Sequence, residues 1–228
     1  HFSNSIFKIF HDFIKKVVFD DAPLLIIGGC GLNCDWNSKW IETRLFTDVF
    51  IPPCTNDSGS AIGTAIDAML YTKGLAKITW SPYAGELSRD DMESADCYIK
   101  ESYDPRRVAE LLDDGYIFGW VQGKYEMGPR ALGNRSILAA PYPKENLARL
   151  NTIKKREGFR PIAPICLEEC MGDYFHPPHP SPYMLEFRKV VSAEIPAVTH
   201  IDNSARPQSI NEYQNPHMYR LLSACRDV

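Results

Sequence analysis

Lys124, Arg130, Arg135 and Ser136 fall in one glycine-punctuated run, Gln122 to Ile137, which reads Gln-Gly-Lys-Tyr-Glu-Met-Gly-Pro-Arg-Ala-Leu-Gly-Asn-Arg-Ser-Ile. A second basic group stands at Lys154, Arg156 and Arg160, and Arg206 comes further on, after His200 and Asp202. Guanidinium forks match phosphate or carboxylate oxygens in pairs, and glycine lets backbone N–H groups come close to an anion. Charge points the same way. Residues 124–160 hold nine Lys or Arg against three Glu, in a chain whose net charge is −4. One basic island on an acidic protein suits a small anionic ligand, whereas a nucleic-acid binder spreads positive charge over a wider face. The plain alternative is a glycine-rich turn with solvated arginines.

The bulk numbers exclude other classes. The 228 residues are 44% hydrophobic and 24% charged, ordinary for a soluble globular protein of one large or two small domains. No apolar run approaches the ~20 residues that span a bilayer, and no signal-peptide pattern is present, so the expectation is a cytoplasmic protein with no membrane partner. The seven cysteines include Cys30 with Cys34 and Cys166 with Cys170. Neither spacing suits a structural zinc, and reduced buried thiols are expected. His176-Pro-Pro-His179 has no partner ligands nearby and reads as a surface loop. No Ser-His-Asp or Cys-His nucleophile arrangement stands out.

These residues need elements to hold them. Apolar spacing predicts a helix over 5–18, a strand over 24–27 ending at Gly28 and Gly29, and a helix from near Asp35. A strand over 48–51 and a helix over 61–70 come next, an α/β order in which ligands sit at strand carboxyl ends. Residues 86–114 carry ten acidic side chains against four basic ones and read as a linker or surface insertion that ends in a short helix at 105–112. A second unit is predicted from Tyr116: strand 116–122, the basic turn, strand 135–140, helix 143–153, strands 162–167, 183–190 and 198–201, and helix 215–225.

Three blocks in order carry a resemblance. The first is Gly28-Gly-Cys-Gly-Leu-Asn33 with Pro52-Pro, Asn56-Asp57-Ser58-Gly59 and Ala61-Ile-Gly63. The second is Gly128-Pro-Arg-Ala-Leu-Gly-Asn-Arg-Ser-Ile-Leu138 with Asn151, Lys154, Arg156-Glu157 and Phe159-Arg-Pro-Ile-Ala-Pro164. The third is Thr199-His-Ile-Asp202 with Ala205-Arg206-Pro-Gln208. From about Leu24 onward the chain resembles the O-carbamoyltransferases that decorate antibiotics and nodulation factors.

That resemblance implies an α/β fold. The C-terminal part of an actin-like (ASKHA) domain, residues 1–95, would precede a YrdC-like domain with a mixed twisted sheet, residues 96–228. It implies carbamoyl phosphate and ATP as co-substrates, carbamoyl adenylate as intermediate, and a small-molecule hydroxyl as acceptor. Lys124, Arg130, Arg135, Ser136, Arg160 and Arg206 would screen the phosphates during reaction. Gly28, Gly29, Asn33, Lys154, Arg156, His200 and Asp202 would line bound co-substrate. Glu126 and Glu157 would steady arginines by ion pairing. Asp57 would ligate a divalent metal, iron or magnesium; propensity alone favours a cap on the helix that starts near Ser60. The two glycines are also compatible with a simple tight turn, and His200 and Asp202 with structural roles.

The chain departs from the family pattern in lacking the first half of the actin-like module, with its histidine ligands, and the last strands of the second. The expectation is therefore a piece or subunit completed by a missing N-terminal half or a homodimer partner. Asn203-Ser204 and Lys124 replace the family's usual Gly-Thr and Arg. The rival readings are a tRNA threonylcarbamoylation-type enzyme and a nucleotide-binding fragment without activity of its own.

Overall fold

A computed structural model describes residues 2–18, 22–75, 77–79, 81–87, 99 and 101–228. It is mixed α/β, with its strands in small separate sheets. Two compact units emerge, His1–Ile78 with Leu185–Phe187, and Thr79–Met184 with Arg188–Val228. The boundary expected at 95/96 lies outside the described residues. Among these, no helix is long and apolar enough to cross a membrane.

In the first unit, helix α1 (Phe2–Val17) is amphipathic as its spacing predicts, yet none of its residues is buried. Its main anchor is Phe7, whose ring centroid lies 4.7 Å from that of Trp40. Strands β1 (Leu24–Leu25) and β2 (Val49–Phe50) pair in parallel. Helix α2 (Cys34–Thr43) starts where the Asn33 side chain accepts the Trp36 N–H at 3.3 Å. Helix α3 (Asp57–Lys73) is longer than the predicted 61–70. Its entry is tight: a Cβ on Gly59 would lie 2.0 Å from the Cys54 carbonyl oxygen, so only glycine fits. Asn37, buried in α2, donates to the carbonyls of Gly31 and Leu185 at 2.8 and 2.7 Å. Ser38 likewise donates to the Phe187 carbonyl. These bonds capture Leu185–Phe187 and correct the strand predicted over 183–190, of which only Arg188–Val190 is a strand.

The second unit begins its regular structure at α4 (Pro105–Asp113), capped by Asp104, whose carboxylate accepts the Arg106 N–H at 2.9 Å. Strands β3 (Phe118–Val121) and β4 (Arg135–Leu138) are antiparallel, with Val121 opposite Arg135. Helix α5 (Asn146–Ile153) comes next. Strand β5 (Ile165–Leu167) pairs in parallel with β9 (Gln208–Ile210), each far from the other in sequence. Between them come α6 (Met171–Tyr174) and an antiparallel sheet of β6 (Phe175–His176), β7 (Arg188–Val190) and β8 (Ser204–Ala205). Helix α7 (Pro216–Asp227) closes the described chain, capped by Asn215. The strands expected to make one mixed sheet are thus divided among three.

Two apolar clusters hold this unit. One gathers Leu112, Ile210, Met218 and Leu221; the other gathers Met171, Phe175, Ile195, Val198 and Ala205. Each fully buried large side chain contributes about 1.5–3 kcal/mol. The strand expected over 198–201 is not formed. Asn203 has a left-handed φ of 60°, and the Asp202 carboxylate accepts the Ser204 N–H at 3.1 Å. This Asx-type turn moves the strand on to Ser204.

Candidate anion-binding site

The basic run forms the connection between β3 and β4. Its first leg is paired: Tyr125 N–H donates to the Glu86 carbonyl at 3.0 Å, and Met127 N–H to that of Pro82 at 2.6 Å. Its return leg is gathered by one side chain. Glu126 Oε1 accepts the backbone N–H groups of Leu132, Asn134 and Arg135 at 2.7, 2.8 and 3.1 Å. Glu126, expected to steady an arginine, thus closes the loop itself, because the turn points these amides inward. Leu132 is fully buried, and its carbonyl accepts from Tyr83 Oη at 2.8 Å and Gln208 Nε2 at 2.9 Å. Gly133 has φ +96°, a left-handed value that disfavours other residues.

A partly buried chain of side-chain amides links the loop to α7. Gln122 Nε2 donates to Asn215 Oδ1, Asn215 Nδ2 to Asn134 Oδ1, and Asn134 Nδ2 to the Lys124 carbonyl, at 3.0, 2.9 and 2.9 Å. Arg135 turns inward as well. Its Nη1 reaches the carbonyls of Gln122 and Asn134, its Nη2 that of Gly123, and its guanidinium lies 4.1 Å from the Tyr125 ring centroid. Lys124 is exposed, Arg130 is half-buried, and Ser136 lies in β4 opposite Trp120.

The second cationic group is built at the end of α5. Lys154 caps the helix, and Lys155 turns the chain with φ 49°. Asn151 organises the turn beyond it. Its Oδ1 accepts from Arg156 Nε at 2.6 Å, and its Nδ2 donates to the carbonyls of Gly158 and Arg160 at 3.1 and 2.9 Å. Arg156 Nη2 also reaches the Pro161 carbonyl. Arg160 pairs with Glu157 at 2.6 Å, as expected. Desolvation of its ammonium, then the charges of Arg156 and Arg206, hold the Lys154 pKa below the usual lysine value, although the residue as a whole is exposed. Desolvation, then Arg160 and Arg206, lower that of Arg156, against Glu157. Arg206 Nε is buried with no hydrogen-bond partner among the described residues. Repelling cations with a spare buried donor are arranged for an anion.

His200 and Asp202 share the turn before β8. Ser204 Oγ donates to Asp202 Oδ1 at 2.7 Å and lies 3.0 Å from His200 Nδ1. The single hydroxyl proton is spent on Asp202, so His200 Nδ1 is the donor in the second bond. Ser204 thus links the imidazole to the carboxylate. Burial first, opposed by Asp202 and assisted by Arg206, lowers the His200 pKa.

Gly28, Gly29, Asn33 and Asp57 lie in the first unit. Gly28 has φ +85°, and a Cβ on either glycine would meet nothing within 4 Å among the described residues. Asn33 is spent as the cap of α2. Asp57 is exposed in the first turn of α3. No group of three or more His, Cys, Asp or Glu able to hold a metal occurs among the described residues. One carboxylate does not make a divalent-metal site, so these residues do not by themselves fit the metal that the resemblance implies.

These elements make an α/β protein with a prearranged cationic loop system. The chain belongs to the carbamoyltransferase family: the family model for the carbamoyltransferase N-terminus matches residues 9–66, and that for the C-terminus residues 109–228. It is 46% identical over 221 residues to a 3'-hydroxymethylcephem-O-carbamoyltransferase of Amycolatopsis lactamdurans, covering 96% of this chain and 42% of that protein. Its counterpart from Streptomyces clavuligerus is 45% identical over 220 residues, with coverage of 96% and 42%. Nodulation protein U of Bradyrhizobium diazoefficiens is 46% identical over 242 residues, with coverage of 96% and 41%. The chain therefore spans about two fifths of the length of these relatives.

Proposed function

We propose that this chain is part of an ATP-dependent O-carbamoyltransferase acting on a hydroxyl of a natural product or sugar. In this reading the second unit belongs to a YrdC-like domain that forms carbamoyl adenylate, and the first to an actin-like domain that serves transfer. The observation that carries it is the gathering of partly desolvated Lys154 and Arg156, whose charges Arg206 opposes, with the buried Arg206 Nε lacking a hydrogen-bond partner among the described residues. Two phosphorylated co-substrates repel each other, and fixed cations in a partly desolvated site offset that repulsion.

Water releases phosphate from carbamoyl phosphate and leaves carbamate. A carbamate oxygen then attacks the α-phosphorus of ATP, and pyrophosphate departs with the electron pair of the broken bond. The acceptor oxygen next attacks the carbamoyl carbon, its proton passes to solvent, and AMP leaves. Arg156, aimed by Asn151, and Arg206 would hold phosphate oxygens, while Glu126 keeps the neighbouring loop in shape.

The test is exchange of labelled pyrophosphate into ATP by the intact protein supplied with carbamoyl phosphate. Arg206→Ala should cut exchange by about 10- to 100-fold, the loss of one charge-assisted bond, with an unfolding midpoint that does not fall. ATP binding without exchange would select the nucleotide-binding reading instead. Exchange supported by threonine and bicarbonate would select the tRNA-modifying one.

A further inference from the structure

Residues 81–87 come near the start of the second unit and run along the basic loop. They meet its first leg as an antiparallel strand would. Gly85 N–H donates to the Tyr125 carbonyl and Tyr125 N–H to the Glu86 carbonyl, both at 3.0 Å, and Leu87 bridges Lys124. At the far end Met127 N–H donates to the Pro82 carbonyl at 2.6 Å. The approach is close. A Cβ on Gly85 would stand 2.6 Å from Tyr125 Cβ and 2.9 Å from its carbonyl oxygen, so a larger residue must push the two segments apart.

The same segment reaches the return leg through one side chain. Ser81 Oγ accepts the Tyr83 N–H at 3.2 Å and shapes the turn that carries the ring. Tyr83 Oη donates to the Leu132 carbonyl at 2.8 Å, beside Gln208 Nε2 at 2.9 Å, and the two donors fill both lone pairs of that oxygen. Burial, first, holds the Tyr83 pKa above the ordinary phenol value, so the hydroxyl keeps the proton it donates. Glu126 takes the Leu132 N–H, and Leu132 is therefore held on both its amide and its carbonyl side. Arg130 stands between the gripped positions, three residues after Met127 and two before Leu132. One segment that holds both legs narrows the shapes open to the loop before a ligand arrives. A cationic loop ordered in advance has less entropy to lose on binding.

We infer that residues 82–87 are a positioning strap for the anion-binding loop, with Tyr83 as its chief positioning residue. The strap acts through Met127 and Leu132 on the direction of Arg130. The inference rests on the anion-site reading above and adds the element that sets the shape of the loop. Calorimetry on the intact chain, with inorganic tripolyphosphate as probe and well below each unfolding midpoint, tests it. A merely structural role would leave the affinity of the folded protein unchanged there. Tyr83→Phe removes only the hydroxyl and should weaken binding about three- to tenfold. Gly85→Ala lifts the strap from the loop and should weaken it further; if that variant does not fold, Tyr83→Phe decides. Linkage makes the effect reciprocal, so bound tripolyphosphate should slow hydrogen exchange at the Gly85 and Met127 amides of the wild-type protein more than at those of α7. Wild-type affinity in folded Tyr83→Phe, or strap amides indifferent to bound probe, would overturn the strap and leave the anion site standing. Failure of the wild-type protein to bind tripolyphosphate would overturn the anion-site reading, and the strap's role with it.

Discussion

Glu126→Gln tests whether the basic loop is held from within. The carboxylate oxygen receives three backbone N–H groups, those of Leu132, Asn134 and Arg135, at 2.7, 2.8 and 3.1 Å. Hydrogen bonds to a charged acceptor contribute ~1.5–3 kcal/mol each, and neutral ones ~0.5–1.5 kcal/mol. An amide oxygen keeps the geometry but loses about 1 kcal/mol per bond. The sum, about 3 kcal/mol, is an upper bound, because three donors share one acceptor and their contributions do not add. Local opening of the loop should become easier by on the order of 100-fold. Amide hydrogen exchange reads this directly. The amides of Leu132, Asn134 and Arg135 should exchange faster in Glu126→Gln and faster still in Glu126→Ala, while those of α7 hold their protection. Unchanged protection of these three amides in both variants would refute the claim that one carboxylate shapes the loop.

The charges set two further outcomes. Lys154 titrates below an ordinary lysine, so its protonated form destabilises the folded protein fully below the folded pKa, and the cost vanishes above the unfolded one. Lys154→Met should therefore raise the thermal midpoint slightly at low salt and neutral pH, and weaken tripolyphosphate binding; a lower midpoint would contradict the repulsion. His200 also titrates below its ordinary value of 6.5, from burial first. The neutral ring is favoured in the fold, so stability is fully present above pH 6.5 and falls as the pH drops towards the folded pKa. His200→Asn should flatten that acid-side slope in urea titrations, and an identical slope would remove His200 as its source.

Much of the element order is legible in the sequence because hydrophobic spacing, caps and prolines act locally. Pro105 behind Asp104, and Pro216 behind Asn215, mark two helix starts by types alone. Strand β9 is hidden because it reads polar: Gln208 and Ser209 are both fully buried, with Gln208 Nε2 donating to the Leu132 carbonyl and Ser209 Oγ accepting the Ser181 N–H, both partners distant in sequence. The cut in the 183–190 run is equally unreadable, since it depends on Asn37 and Ser38, almost 150 residues away. At the site, the basic residue types and their clustering are plain from the sequence. The division of labour among them is not. Arg135 looks like Arg156 in the chain, yet it is spent on backbone carbonyls and an aromatic ring. The organisers Asn134, Asn151 and Asn215 give only a weak sequence signal, recurrent side-chain amides beside the basic runs.

Residue identity and near-neighbour spacing suffice for the family, for the basic island on an acidic chain, and for the rough succession of helices and strands. Folding settles the rest: which cations repel one another, which are neutralised by carbonyls, and which distant segment grips the basic loop. Those properties depend on separation in space and on exclusion of water, and both are set by contacts between residues far apart in the chain.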